Sequence, residues 1–205
     1  GKLIRPGVRE GTELFGDRQP FYLANLDKRF IFDFSYDGVL RSHEESLQRL
    51  GVDAVDILHI HDPDEHFTDA VQGAYRSLNR LREEGSIKAV SAGMNQWEML
   101  SKFLDHGDFD CFLLAGRYTL LDQSSLAELL PKCLKHRTSI VIGGVYNSGI
   151  LANPVPGTTY NYVEAPQDLI DRALAMEVIC QRHGVPLKAA ALQFPLGHPA
   201  VATVL

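Results

Sequence analysis

Short apolar runs alternate along the chain with segments whose apolar residues recur at helical spacing, and the alternation sets in near Asp37. The clearest run is Asp56-Ile57-Leu58-His59-Ile60-His61-Asp62-Pro63. Apolar residues that end in imidazole, carboxylate and proline predict a strand buried on both faces and stopped by turn chemistry, the kind that belongs to a parallel sheet flanked by helices. Before it, Asp37 is placed to cap a helix that carries Val39, Leu40, Leu47 and Leu50, with Gly51 just past the end. After it, a helix from about Asp69 to Glu84 spaces Ala70, Ala74, Leu78 and Leu81 along one face. Asp64 or Thr68 is placed to cap it.

The same alternation continues. Strands are predicted at 87–93, 109–115, 139–145 and 200–205, with helices marked by Met99 to Leu104, Leu126 to Leu134, and Gln167 to His183 between them. Phe30 to Phe34 offers a further strand, whereas the opening segment through Asp27, rich in Gly, Arg, Asp and Pro, reads as loop. Residues 1–36 are thus an irregular region and 37–205 a series of helix-strand units in one domain spanning 1–205. Such units require right-handed crossovers and a mostly parallel sheet, either a barrel or a doubly wound open sheet. A closed barrel takes eight strands and about 250 residues. The expectation is therefore an incomplete (β/α) barrel, part of a longer chain.

Composition narrows the class. With 45% apolar and 22% charged residues, the 205-residue chain can bury one sizeable core. Its net charge of −6 comes without a basic cluster or stripe, which argues against a nucleic-acid partner. Cys111, Cys133 and Cys180 match no metal or redox spacing and read as free thiols in a reducing, cytoplasmic setting. No apolar run approaches the roughly 18 residues of a membrane helix, and the start lacks the apolar core of a signal peptide. No membrane partner is expected.

Candidate chemistry gathers at the predicted strand ends. His61 ends its strand, and in α/β barrels and doubly wound sheets that edge carries ligands and catalytic side chains. His59 lies two residues earlier on the same face, so the pair could ligate a divalent metal. Later strand ends offer Gly93-Met94-Asn95, Gly116-Arg117-Tyr118 and Tyr146-Asn147-Ser148, a poor supply of further ligands. A hydrogen-bonded core histidine is the plainer reading of His59. Asp62 opens an acidic loop that either shapes substrate polarity or is a solvated turn. Asn95 has an amide suited to another amide or a sugar hydroxyl, or else caps a turn. Tyr146 offers a ring for stacking, and Asn147 and Ser148 offer donors to a phosphate.

Several stretches then carry a resemblance. The run from Ser46 to His61, together with Leu81-Arg82-Glu83-Glu84-Gly85-Ser86-Ile87-Lys88-Ala89-Val90, resembles the aldo-keto reductase family. Phe34-Ser35-Tyr36-Asp37-Gly38, His61-Asp62-Pro63-Asp64, Gly93-Met94-Asn95-Gln96 and Ala115 to Gln123 are similar to its bacterial group of pyridoxal 4-dehydrogenases and L-fucose or D-threo-aldose 1-dehydrogenases. The resemblance covers almost the whole chain.

It implies a (β/α)8 TIM barrel of which this chain holds about five units, with NAD or NADP across its C-terminal mouth. The substrate it implies is a small polar aldehyde, an aldose or pyridoxal. In the family's Asp, Tyr, Lys and His tetrad, His61 matches the His that orients the carbonyl. Gly93, Met94 and Asn95 fall where the family holds the carboxamide, Tyr146 near the stacking aromatic, and Asn147 and Ser148 near the pyrophosphate loop. Asp62 and Tyr36 are assigned to the substrate side, and no metal is assigned. The tetrad Asp and Tyr would precede Gly1, and Lys2 is a poor match for its Lys. Ala115 stands where many members place Gln, and the basic loop that grips the adenosine phosphate would follow Leu205. Two other readings stay open: a metal-dependent hydrolase using His59 and His61, and a non-catalytic nicotinamide-binding regulatory subunit. The choice between NAD and NADP, the substrate and the oligomeric state are open.

Overall fold

The computed structural model describes residues 2–6, 14–15, 19–20, 28–161 and 163–205. The chain resolves into two compact units, 1–91 and 92–205.

The first unit opens with strands where the sequence reads as loop. β1 (Lys2–Pro6) pairs antiparallel with β4 (Lys28–Phe32), and β2 (Leu14–Phe15) pairs with β3 (Gln19–Pro20). Residues 7–13, 16–18 and 21–27 of the expected loop lie outside the described residues. Local composition missed β1 because a strand forms against its partner, and that partner lies far along the chain.

Helix α1 (Tyr36–Leu50) ends at Gly51, whose φ of 67° supplies the left-handed cap. Its N-cap is Ser35 rather than Asp37: the Ser35 hydroxyl accepts from the Gly38 amide, and Asp37 lies within the first turn. Asp33 fixes the cap by accepting from the Ser35 amide and hydroxyl at 3.0 and 2.6 Å, and Arg41 pairs with its other oxygen at 3.2 Å. The Ser35 hydroxyl holds the Asp33 carboxyl below its ordinary pKa, with Arg41 adding to the effect and burial opposing it.

β5 (Ile57–His61) follows, exposed at Ile57, His59 and His61 and buried at Ile60. This corrects the expectation of burial on both faces. Side chains alternate across a strand, so Ile57, His59 and His61 share one face, and two imidazoles stand there in place of the aliphatic residues that burial on both faces requires.

The next helical segment begins at Phe67 and has three parts: α2 (Phe67–Asp69), a π-helical stretch (Ala70–Tyr75) and α3 (Arg76–Glu83). Its N-cap is His66, without a side-chain capping bond, so neither Asp64 nor Thr68 caps it. Gly73 sits in the π stretch, where a Cβ would lie 2.3 Å from the Phe34 carbonyl oxygen. Only a residue without a side chain permits that approach of two backbones.

β6 (Ala89–Met94) begins in the first unit and ends in the second. In the second unit the strand order is β6-β7-β8-β11, with β7 (Cys111–Ala115) and β11 (Val201–Val204) both parallel to β8 (Ser139–Gly143). Helices α4 (Trp97–Phe103), α5 (Leu129–His136) and α6 (Gln167–Arg182) occupy the predicted intervals. The sequence reading lacked a short hairpin, β9 (Thr159–Tyr160) with β10 (Val163–Glu164), and a helix, α7 (Leu187–Gln193), that runs into a 3-10 turn.

One core cluster of this unit joins Leu121, Ile150, Leu151, Ile170, Ala173 and Leu187, so the loop after β8 is packed by its own apolar residues against α6 and α7. No helix among the described residues is long and apolar enough to cross a membrane.

Candidate functional site

Three strands of the second unit end in residues that meet at one cleft. Met94 is followed by Asn95, Ala115 by Gly116, and Gly143 by Gly144. Asn95, Ala115, Gly116 and Gly144 line a cavity of about 230 Å³, with Asn147, Ser148 and Asn161 completing its wall. Two glycines form the floor. Gly116 and Gly144 have φ of 69° and 63°, and a Cβ on Gly144 would lie 3.4 Å from the Gly116 nitrogen. The Gly116 amide donates to the Gly143 carbonyl at 2.9 Å, which locks the two loops edge to edge.

The two asparagines differ in what they leave free. Asn147 is 4% exposed, with φ of 47°. Its Nδ2 donates to the Gly116 carbonyl at 3.1 Å, and its Oδ1 accepts from the Thr119 hydroxyl at 2.6 Å. It therefore clamps the β8 loop to the β7 loop. The Asn95 amide makes no hydrogen bond among the described residues, although the residue is half-buried in the cleft wall. That leaves the amide available to a polar ligand in the cleft.

A polar network braces the rim. Asp122 accepts from the Ser124 amide and hydroxyl at 3.0 and 2.7 Å, from Arg117 at 3.4 Å and from the Tyr160 hydroxyl at 3.1 Å. Arg117 also donates to the Asn161 side-chain Oδ1 at 3.0 Å. Burial raises the Tyr160 pKa, and the Asp122 carboxylate adds to the rise. Asn161 directly follows Tyr160, which pairs with Val163, and its φ of 50° lies in the left-handed region that Asn tolerates. The sequence reading missed Gly116, Gly144 and Asn161. Their signal was a glycine directly after each strand, and an Asn in a tight polar turn.

Of the other residues expected in the cofactor site, Gly93 and Met94 are buried within β6, and Tyr146 packs on the apolar cluster of Ile150 and Ile170; none of the three lines the cleft. The structure brings together Asn95, Asn147 and Ser148.

In the first unit, His61 is exposed at the C-terminal end of β5, and its Nε2 lies 3.5 Å from the Asp62 carboxylate. Asp62 has φ of 44°, a conformation that costs energy for a residue with a side chain and that recurs at functional strand ends. Tyr36 belongs to a different arrangement: its hydroxyl accepts from Arg80 at 2.8 Å and ties α1 to α3. His59 is exposed by surface area yet close enough to protein atoms that desolvation lowers its pKa, and the charge of neighbouring His61 lowers it further. His59 and His61 gain no third ligand, since among the described residues no group of three or more His, Cys, Asp or Glu could hold a metal ion.

The sequence profile of the Aldo/keto reductase family matches residues 21–205. A pyridoxal 4-dehydrogenase from Microbacterium luteolum is 44% identical over 191 residues, covering 88% of this chain and 56% of that protein. A D-threo-aldose 1-dehydrogenase from Pseudomonas sp is 38% identical over 208 residues, covering 100% of this chain and 63% of that protein. The chain thus spans about six tenths of the length of these curated relatives. Among solved structures, the holo form of an aldo-keto reductase from Bacillus halodurans superposes with a TM-score of 0.69 at 23% identity, covering 84% of this chain and 57% of that one. A glycerol dehydrogenase from Gluconobacter oxydans gives 0.65 at 18% identity, covering 87% and 57%. These likenesses decide between the two α/β architectures: the strands β5, β6, β7, β8 and β11 are those of a (β/α)8 barrel, held here in part.

Proposed function

This chain belongs to the Aldo/keto reductase family, and from that premise we propose that the protein containing it is an NAD(P)-dependent oxidoreductase acting on a small polar aldehyde, an aldose or pyridoxal. The observation that carries the reading is the strand-end cleft of the second unit, with the unpaired Asn95 amide in its wall and paired glycines in its floor. A carboxamide is a complementary partner for that amide, since each group presents one donor and one acceptor edge. The floor lets a flat ring or a phosphate approach backbone that a Cβ would cover. The cleft therefore fits a nicotinamide nucleotide, with Asn95 orienting the carboxamide and the turn at Ser148 offering a hydroxyl. When bound, nicotinamide supplies the redox chemistry, accepting or giving the hydride.

His61 is the residue proposed to act on the substrate. A ring N–H donated to the carbonyl oxygen stabilises the negative charge that develops there, and the neighbouring Asp62 carboxylate biases the orientation of the ring. The free thiols of Cys133 and Cys180 support a reducing, cytoplasmic setting.

The test uses the full-length protein. His61→Ala is expected to lower kcat more than about tenfold while nucleotide affinity is unchanged, as for a group acting on the transition state. Asn95→Ala is expected to weaken nucleotide binding. No change in nicotinamide absorbance across a panel of aldoses and pyridoxal, with either NAD or NADP, would refute the function; unchanged kcat in His61→Ala would remove that residue from the mechanism.

A further inference from the structure

The wall that the β7 and β8 loops give to the strand-end cleft is short of acceptors. The Gly116 carbonyl accepts from Asn147 Nδ2, the Gly144 carbonyl from the Asn147 amide at 2.9 Å, and the Ser148 carbonyl from the Thr159 hydroxyl at 3.1 Å. Asn147 Oδ1 is taken by the Thr119 hydroxyl. Among the described residues no acidic side chain lines the cleft. Donors remain. The backbone N–H and the hydroxyl of Ser148 make no hydrogen bond among the described residues, and Ser148 is exposed at the cleft.

Asn161 adds a third donor, and its direction is set by its neighbours. An amide side chain carries one oxygen and one NH2 group, and one that is free to turn can present either. Arg117 removes the choice. A guanidinium only donates, so its bond of 3.0 Å goes to Oδ1, and Nδ2 is left to the cleft that Asn161 lines. Arg117 is itself held. Its Nη1 lies 3.4 Å from Asp122 Oδ2, and the two side chains are 21% and 17% exposed, so little water competes for the pair. The same Asp122 oxygen accepts from the Tyr160 hydroxyl at 3.1 Å, which anchors the residue before Asn161. Two consecutive residues of the hairpin are thus tied to the β7 loop.

We propose that Arg117 is a positioning residue: it turns the Asn161 amide so that Nδ2, together with the Ser148 N–H and hydroxyl, forms a donor set for a diphosphate oxygen of the nucleotide. This rests on the oxidoreductase reading and deepens it. A phosphate oxygen only accepts, so it suits a wall whose oxygens are engaged and whose donors are not. A sugar hydroxyl would bring a proton for which those engaged oxygens offer little. Asp122 neutralises the Arg117 charge while fixing its place, so Arg117 acts through Asn161 and not as the counter-ion of the diphosphate.

The experiment reads affinity in the full-length protein by calorimetric titration with NADH, with NADPH and with inorganic pyrophosphate. Asn161→Asp keeps an oxygen for Arg117 and exchanges the NH2 group for a second acceptor, and it is expected to weaken every probe the wild type binds by at least about tenfold. Asn161→Ala only deletes the donor and weakens them by about threefold to tenfold. Arg117→Met frees the amide to turn and costs no more than Asn161→Ala; Arg117→Lys, which also only donates, recovers part of the loss. Arg117→Met combined with Asn161→Ala binds as Asn161→Ala alone does, because the first residue acts through the second. The proposal is overturned if Asn161→Asp binds as the wild type does, or if the two losses add in the double variant. Asn161 is exposed, so Asn161→Asp decides the matter even if an Arg117 variant unfolds. A wild type that binds neither NADH nor NADPH refutes the oxidoreductase reading instead. Pyrophosphate then decides the donor set by itself: binding that Asn161→Asp abolishes upholds it, and no binding overturns it.

Discussion

Asn95 and Asn147 carry the same amide to the same cleft and face opposite consequences when it is removed. Asn147→Ala removes the buried bonds to the Gly116 carbonyl and from the Thr119 hydroxyl, a loss of about 1 to 3 kcal/mol of stability expected as a lower urea midpoint. Asn95→Ala breaks no hydrogen bond among the described residues, so its midpoint should stay within about 0.5 kcal/mol of the wild type while nucleotide affinity falls. Equal loss of stability in both would show Asn95 to be a structural residue. The thiols differ in the same residue-level way. Burial pushes the Cys133 pKa up to about 12, and a thiol is nucleophilic only as thiolate. Half-buried Cys180 should therefore take up iodoacetamide from the native protein while Cys133 remains unmodified until the chain unfolds, as read by peptide mass spectrometry.

At the scale of elements, the helical segment after β5 is defined by one close approach. Gly73→Ala places a Cβ 2.3 Å from the Phe34 carbonyl oxygen and 3.0 Å from the Ser35 Cα, and backbone atoms cannot rotate away as a side chain can. The expected cost is about 1 to 3 kcal/mol, the range of an overpacked core. Gly197→Ala meets nothing within 4 Å and serves as the neutral control. Similar unfolding midpoints for the two variants would mean that the π stretch relaxes at little cost. Helix starts and stops were legible in part: Gly51 and Gly184 punctuate as the sequence indicates, because a residue that relieves strain at positive φ marks a helix end wherever it falls. The Ser35 cap was less legible, since Asp37 is an equally good capping residue until Asp33 and Arg41 fix the turn before it.

Across the whole molecule, desolvation lowers the pKa of His43, of His59 and of His198. The buried Nε2 of His43 has no hydrogen-bond partner among the described residues, and the ring lines a cavity of about 80 Å³ with Ser42, Ser46 and His59. A histidine whose folded pKa is depressed binds fewer protons in the native than in the unfolded state. Its contribution is intact above the unfolded value of about 6.5 and is lost as pH falls from there through the folded value. The urea midpoint should therefore drop on acidification from about pH 7.5 to about pH 5.5, and His43→Gln should flatten that slope. A midpoint independent of pH over this window would contradict the assignment. The repeating strand-helix order, the family and His61 at a strand end were legible in the sequence alone, because apolar periodicity and short local motifs are properties of neighbouring residues. Tertiary structure decided the rest. Asn95 is left unpaired while Asn147 is used as a clamp, Tyr146 turns into an apolar cluster, and Arg117 and Asn161 meet at the cleft rim. Each of these outcomes depends on which distant group occupies the neighbouring space, and residues far apart in the chain become partners only when the fold brings them together.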